Sequence, residues 1–130
     1  MQHAAAWIKL ADVAGTWSIE NAAKNWAGID TVVNYELVAT ATREGWVTNF
    51  AGRDPIPTRV VAVRGDSVMI AAGPFETTDY MTVRTRATLH FKGDDVSGTM
   101  EARYFYPDFG SRPGGPGRVV KGNIKGTRKR

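Results

Sequence analysis

Polar and apolar positions alternate along most of this chain. Residues 81–92 show it best: Met81, Val83, Thr85, Ala87, Leu89 and Phe91 share one face, and Thr82, Arg84, Arg86, Thr88, His90 and Lys92 share the other. A run of period two on this scale cannot keep one face on a helix, so it predicts a half-buried strand. The same pattern predicts seven more strands. Residues 16–19 place Trp17 and Ile19 together, and 31–42 align Val33, Tyr35, Leu37, Ala39 and Ala41. Residues 46–51 align Trp46, Thr48 and Phe50, and 58–64 and 67–72 follow across a Gly65-Asp66 turn. Residues 96–106 align Val96, Gly98, Met100, Ala102 and Tyr104, and 118–128 align Val120, Gly122 and Ile124.

Ahead of the first strand, residues 2–13 predict a short helix. Trp7, Leu10 and Ala11 share a helical face, Ala4 to Ala6 favour the helix, and Gly15 ends it. Residues 20–30 fit either a helical turn or a long loop around Trp26. Arg43-Glu44-Gly45, Gly65-Asp66 and Gly93-Asp94-Asp95 predict tight turns, and Gly73-Pro74 a strand break. Strands joined in order by short turns form an antiparallel meander. Eight one-sided strands leave two raw edges unless the sheet closes. The expected fold is therefore all-β, an eight-stranded antiparallel up-and-down barrel with a short N-terminal helix. An open sandwich or a barrel of another topology is the alternative.

The length of 130 residues predicts a single domain, 1–130. The absence of cysteine excludes disulfides, thiolate metal sites and a cysteine nucleophile. No apolar run approaches the roughly 18 residues of a membrane-spanning helix. The chain reads as soluble, and a secreted or periplasmic protein whose leader has been removed fits it. Charge is uneven: residues 1–80 carry six Lys/Arg against nine Asp/Glu, and residues 81–130 carry eleven against four. The basic half raises nucleic acid as a partner. Arg84, Arg86, Lys92, Arg103, Lys121 and Lys125 face outward, but without the outward aromatic rings that single-strand binders stack on. Such cations also protect a sheet against edge pairing, so the sequence disfavours nucleic acid.

Gly15-Thr16-Trp17 opens the first strand, and Arg128 ends the last one. With the strand count, these residues resemble the lipocalin and calycin-type barrels, which carry a Gly-x-Trp signature in the same place. The resemblance implies that Trp17 closes the barrel floor and that Arg128 packs across it. Residues 52–57, 65–68, 73–76 and 126–128 are similar to uncharacterised bacterial lipocalin-like proteins, a group with no activity to carry over. Unlike many lipocalins, this chain is short and has no clear C-terminal helix.

A closed barrel of this size has an interior that can hold one small ligand. Ala39, Ala41, Ala72, Ala87, Gly98, Ala102 and Gly122 are small residues at expected inner positions. The expected ligand contacts are Tyr35, Leu37, Trp46, Phe50, Leu89, Met100 and Tyr104, an apolar lining with tyrosine hydroxyls to orient a small hydrophobic or aromatic molecule. Trp26, Phe75 and Tyr80 are candidate lid residues in the loops 21–30 and 73–80. Asp79 is the weak catalytic candidate, because burial beside Tyr80 would raise its pKa toward general acid–base use. His3 and His90 are distant and predict no metal site, and no cofactor is implied. Two alternatives stand beside binding: an isomerase- or cyclase-type enzyme in the same cavity, and a packed scaffold barrel. The sequence leaves oligomeric state open.

Overall fold

The computed structural model describes residues 8–24, 27–77, 80–108, 110–111 and 113–129. It is an antiparallel meander of eight strands, β1 (Gly15–Lys24), β2 (Asp30–Ala39), β3 (Trp46–Asn49), β4 (Ile56–Arg64), β5 (Ser67–Glu76), β6 (Thr82–Lys92), β7 (Asp95–Tyr106) and β8 (Gly115–Arg128). The strands pair in chain order, and β8 returns to pair with β1, closing the sheet into an up-and-down barrel. The only helical piece among the described residues is α1 (Leu10–Val13), one turn long. The predicted start of that helix, Trp7 included, lies outside the described residues.

Several segments differ from the expectation. β2 stops at Ala39, so Ala41, expected inside, is exposed in the turn that follows, and β3 stops at Asn49. Residues 20–24 are strand, not loop: β1 runs on to Lys24 and pairs with β2 on one side and β8 on the other. Polar Asn21 and small Ala23 occupy the inner positions there, which hides the alternation. The Gly73-Pro74 break is a register shift between Ala72 and Phe75, with a cis Gly73-Pro74 peptide, and β5 continues through it to Glu76.

The two ends of the barrel are unlike. At one end lie the turns after β2, β4 and β6, the last residues of β8, and α1. The Ile8 N–H donates to the Gly65 carbonyl at 2.6 Å, and the Lys129 N–H to the Thr16 carbonyl at 2.7 Å. Val13 is buried, and Ile8 and Leu10 pack against the same core. The core of this capped half contains Trp17, Leu37, Trp46, Val68, Leu89 and Phe91. A smaller cluster, Val83, Ala102 and Val120, occupies the other half, and Met100 packs against both.

Tight coiling through β6, β7, β8 and β1 rests on glycine. A Cβ on Gly98 would run into the Thr88 carbonyl of β6. On Gly122 it would sit 2.6 Å from the Ala23 Cβ and 2.8 Å from Asn21 Oδ1. These inner glycines therefore do not leave space for a ligand. They let neighbouring backbones approach closely, as barrel corners require.

Candidate functional site

Trp17 and Arg128 meet at the capped end. Trp17 is 0% exposed, and its indole N–H donates to the Val13 carbonyl at 2.8 Å. The Arg128 guanidinium lies 4.7 Å from the Trp17 ring centroid, and Phe91 meets the same indole edge-on at 4.8 Å. Arg128 donates to the carbonyls of Asp12 at 2.8 Å and Ala14 at 3.2 Å, and its Nε stands 3.1 Å from the Asp94 carboxylate. One side chain thus ties α1, the β6–β7 turn and β8 over the tryptophan. Gly15 has a φ of +137°, where a side chain is strained, and the Arg128 stem packs across its open face.

The opposite end collects exposed apolar groups. The β1–β2, β3–β4, β5–β6 and β7–β8 connections all lie there by topology. Ile29, Val32, Tyr80, Tyr106 and Val119 are exposed at or near this rim. Val33 stands on the inner face of β2, in register with Asn21, yet is 38% exposed. Solvent therefore reaches the inner wall at Val33, where β2 has run past its pairing with β3. Behind it the inner positions are small or of middle size: Ala23, Ala72, Thr85, Ala102, Val83 and Val120.

The seven expected ligand contacts fall into two groups. Leu37, Trp46 and Leu89 are fully buried in the capped half. The Trp46 indole N–H donates to the Thr42 carbonyl at 2.8 Å. Tyr35, Phe50, Met100 and Tyr104 are half-buried. Tyr35 and Phe50 stack at 4.9 Å between centroids, and Phe75 joins them at 6.2 Å from Phe50. Met100 and Tyr104 pack on the smaller cluster with Phe75. Of the lid candidates, Phe75 stands in β5 beneath the Arg53 guanidinium, 4.8 Å from its ring centroid. Tyr80 is 76% exposed, with a φ of +63°. Trp26 and Asp79 lie outside the described residues.

The inner polar groups are few. Thr48 and Thr58 hydroxyls bond each other at 2.8 Å, so they are satisfied within the wall. Asn21, which the sequence did not single out, is 8% exposed, and its Oδ1 has no hydrogen-bond partner among the described residues. Among the described residues, no strand places a carboxylate, lysine or histidine on the inner face.

Burial pushes the Tyr35 hydroxyl up from 10.0 to about 12, and burial also raises Tyr104. Below about pH 10 Tyr35 is neutral folded or unfolded and contributes no pH dependence. Above that the unfolded chain ionises first, so stability falls until the folded group titrates near 12. We expect a loss of roughly 2–3 kcal/mol across that window from Tyr35. Denaturant melts across the alkaline range check it: the decline is shallower in Tyr35→Phe.

Outside the barrel, Ser67, Asp66 and His90 come together at the β4–β5 turn. His90 Nδ1 lies 2.9 Å from Ser67 Oγ and 3.7 Å from Asp66 Oδ1. Both partners address the same ring nitrogen, whereas a nucleophilic triad uses one nitrogen for each. The cluster is a turn contact, not a hydrolase site. No group of metal-ligating side chains occurs among the described residues, and no helix there is long and apolar enough to cross a membrane.

Fold and lining together define a small closed antiparallel barrel with one capped end and one apolar, accessible end. The chain matches no protein-family model, no curated protein and no solved structure.

Proposed function

We propose that the barrel is a lipocalin-like binding module that takes a small hydrophobic or aromatic molecule through its open end. The observation that carries this reading is the asymmetry of the interior. The capped half is filled by indole, phenyl and leucine side chains, while the open half is walled by Val83, Ala102 and Val120 with the half-buried side chains of Phe75, Met100 and Tyr104 packed on them, and solvent reaches its inner face at Val33. The contacts in this reading are Tyr35, Phe50, Met100 and Tyr104, with Phe75, Val83 and Val120 beside them. Leu37, Trp46 and Leu89 lie beneath as the floor, and Trp17 with Arg128 closes it. Apolar area buried against this wall contributes about 25 cal/mol per Å2. A ligand with a hydroxyl or amide N–H gains further by satisfying Asn21 Oδ1, since an unpaired buried acceptor costs about 1–3 kcal/mol.

Binding without catalysis is favoured by the inner wall. It offers tyrosine hydroxyls, which burial moves still further from neutrality, and among the described residues no inner carboxylate, lysine or histidine to act as a general acid or base.

Titration with an apolar fluorescent dye, followed by displacement with long-chain alcohols and aromatic amides, tests the reading. Saturable binding of about one dye per chain is expected. Val33→Trp, at an inner position that solvent already reaches, should block the opening and weaken binding at least about ten-fold while the melting temperature holds. No saturable binding, or binding indifferent to Val33→Trp, contradicts the proposal.

A further inference from the structure

The outer wall formed by β6, β7 and β8 concentrates positive charge in a hollow. Across these strands Arg84 stands opposite Arg103, Arg86 opposite Glu101, and Glu101 opposite Lys121. These residues line a concavity of about 990 Å3, four cations around one carboxylate. Glu101 accepts from Arg103 Nε at 2.7 Å, which leaves Arg84, Arg86 and Lys121 with no ion pair among the described residues. The row continues past Arg86: outward-facing Ala71 is only 5% exposed, and its cross-strand neighbours are Arg59 and Arg86.

The same hollow holds an aromatic ring. Phe105 faces outward at its end, with the Arg84 guanidinium 5.8 Å from the ring centroid. This corrects the expectation that the basic face carries no outward aromatic. Phe105 is odd-numbered in a strand whose even positions point inward, so the pattern already placed it there.

We propose that this wall binds single-stranded nucleic acid, independently of the barrel interior. Same-face cations two residues apart on a strand repeat at about 6.7 Å, and neighbouring strands offer others at about 4.8 Å, so an extended polyanion meets several at once. Phe105 supplies the stacking platform, which tolerates any base. Thr88, Thr99 and Asn123 add neutral hydrogen-bonding groups to the floor. A bilayer surface is flat and would not enter the hollow. A duplex keeps its base faces stacked away from Phe105. The single strand matches both the charge and the ring.

Fluorescence anisotropy of the full chain with a labelled oligothymidylate of about 12 nucleotides tests this. Between about 50 and 200 mM salt, log K should fall against log salt with a slope of about −2 to −3, as a few released counterions require. Arg84→Ala with Arg86→Ala should weaken binding at least about ten-fold and flatten that slope. Phe105→Ala should weaken it roughly ten-fold with the slope unchanged. Glu101→Gln should tighten it several-fold, a gain that misfolding cannot mimic. Lys24→Ala, outside the hollow, should change nothing, and melting curves accompany every variant. Absence of binding at low salt overturns the proposal. So does weaker binding in Glu101→Gln. Equal binding to duplex or to anionic phospholipid vesicles, with Phe105→Ala indifferent, overturns it too.

Discussion

Trp17→Ala is expected to lower stability by about 3–5 kcal/mol and the melting midpoint by roughly 10–20 °C. The indole is one of the two largest fully buried side chains among the described residues, and truncation leaves a cavity in the capped half that the neighbouring strands cannot refill. It also removes the hydrogen bond to the Val13 carbonyl, the edge-on contact with Phe91 and the surface on which Arg128 lies. Arg128→Ala should cost less, because its guanidinium is partly solvated, and the carbonyls it leaves can find water. In a double-mutant cycle the two should couple by about 0.5–2 kcal/mol, the range of a cation on an indole face. Denaturant unfolding of the three variants checks this. A Trp17→Ala protein as stable as the parent would mean that the capped half is not the packed core described.

Gly98→Ala is expected to cost more than about 4 kcal/mol, enough to leave an ordinary domain near the edge of folding. One methyl group is all that is added, but it meets the backbone carbonyl of Thr88 and lies close to the Leu89 Cα. A flexible side chain could swing away; a paired strand cannot. Either β6 and β7 separate, breaking the longest ladder of the barrel that has no register shift, or the chain does not close. Gly115→Ala is the matched control, since nothing stands within 4 Å of a Cβ there, and its effect should stay within about 0.5 kcal/mol. Thermal melts decide the pair. Tolerance of Gly98→Ala would show that the close approach of β6 and β7 is not required.

The strands that were plain in the sequence were those with large apolar residues on one face. Residues 81–92 and 96–106 alternate clearly, and they are β6 and β7. The second half of β1 was hidden because its inner positions are Asn21 and Ala23, which carry no hydrophobic signal. Their strand character comes from pairing with Ile124 and Gly122 of β8, a relation between distant segments that no local window contains. The β5 kink looked like an end because Gly73-Pro74 is a usual breaker, yet the partner strand absorbs it as a register shift. The Trp17–Arg128 pair was legible through the resemblance, whereas the carbonyls that Arg128 gathers were not. For the interior, alternation gave the direction of each side chain but not its depth. It places Leu37, Trp46 and Leu89 on one face with Tyr35, Phe50, Met100 and Tyr104, although the first three sit deep in the capped core. Depth follows from which loops share an end and from the filling of the floor by Trp17 and Phe91.

If the open half of the interior receives the ligand, methyl NMR during the dye titration shows it directly. Resonances of Val33, Val83, Met100 and Val120 should shift and saturate together, while those of Val13 and Val68 beneath the cap stay in place. Shifts confined to outward methyls such as Val119 and Met69, or none among the inner four at dye saturation, would contradict it.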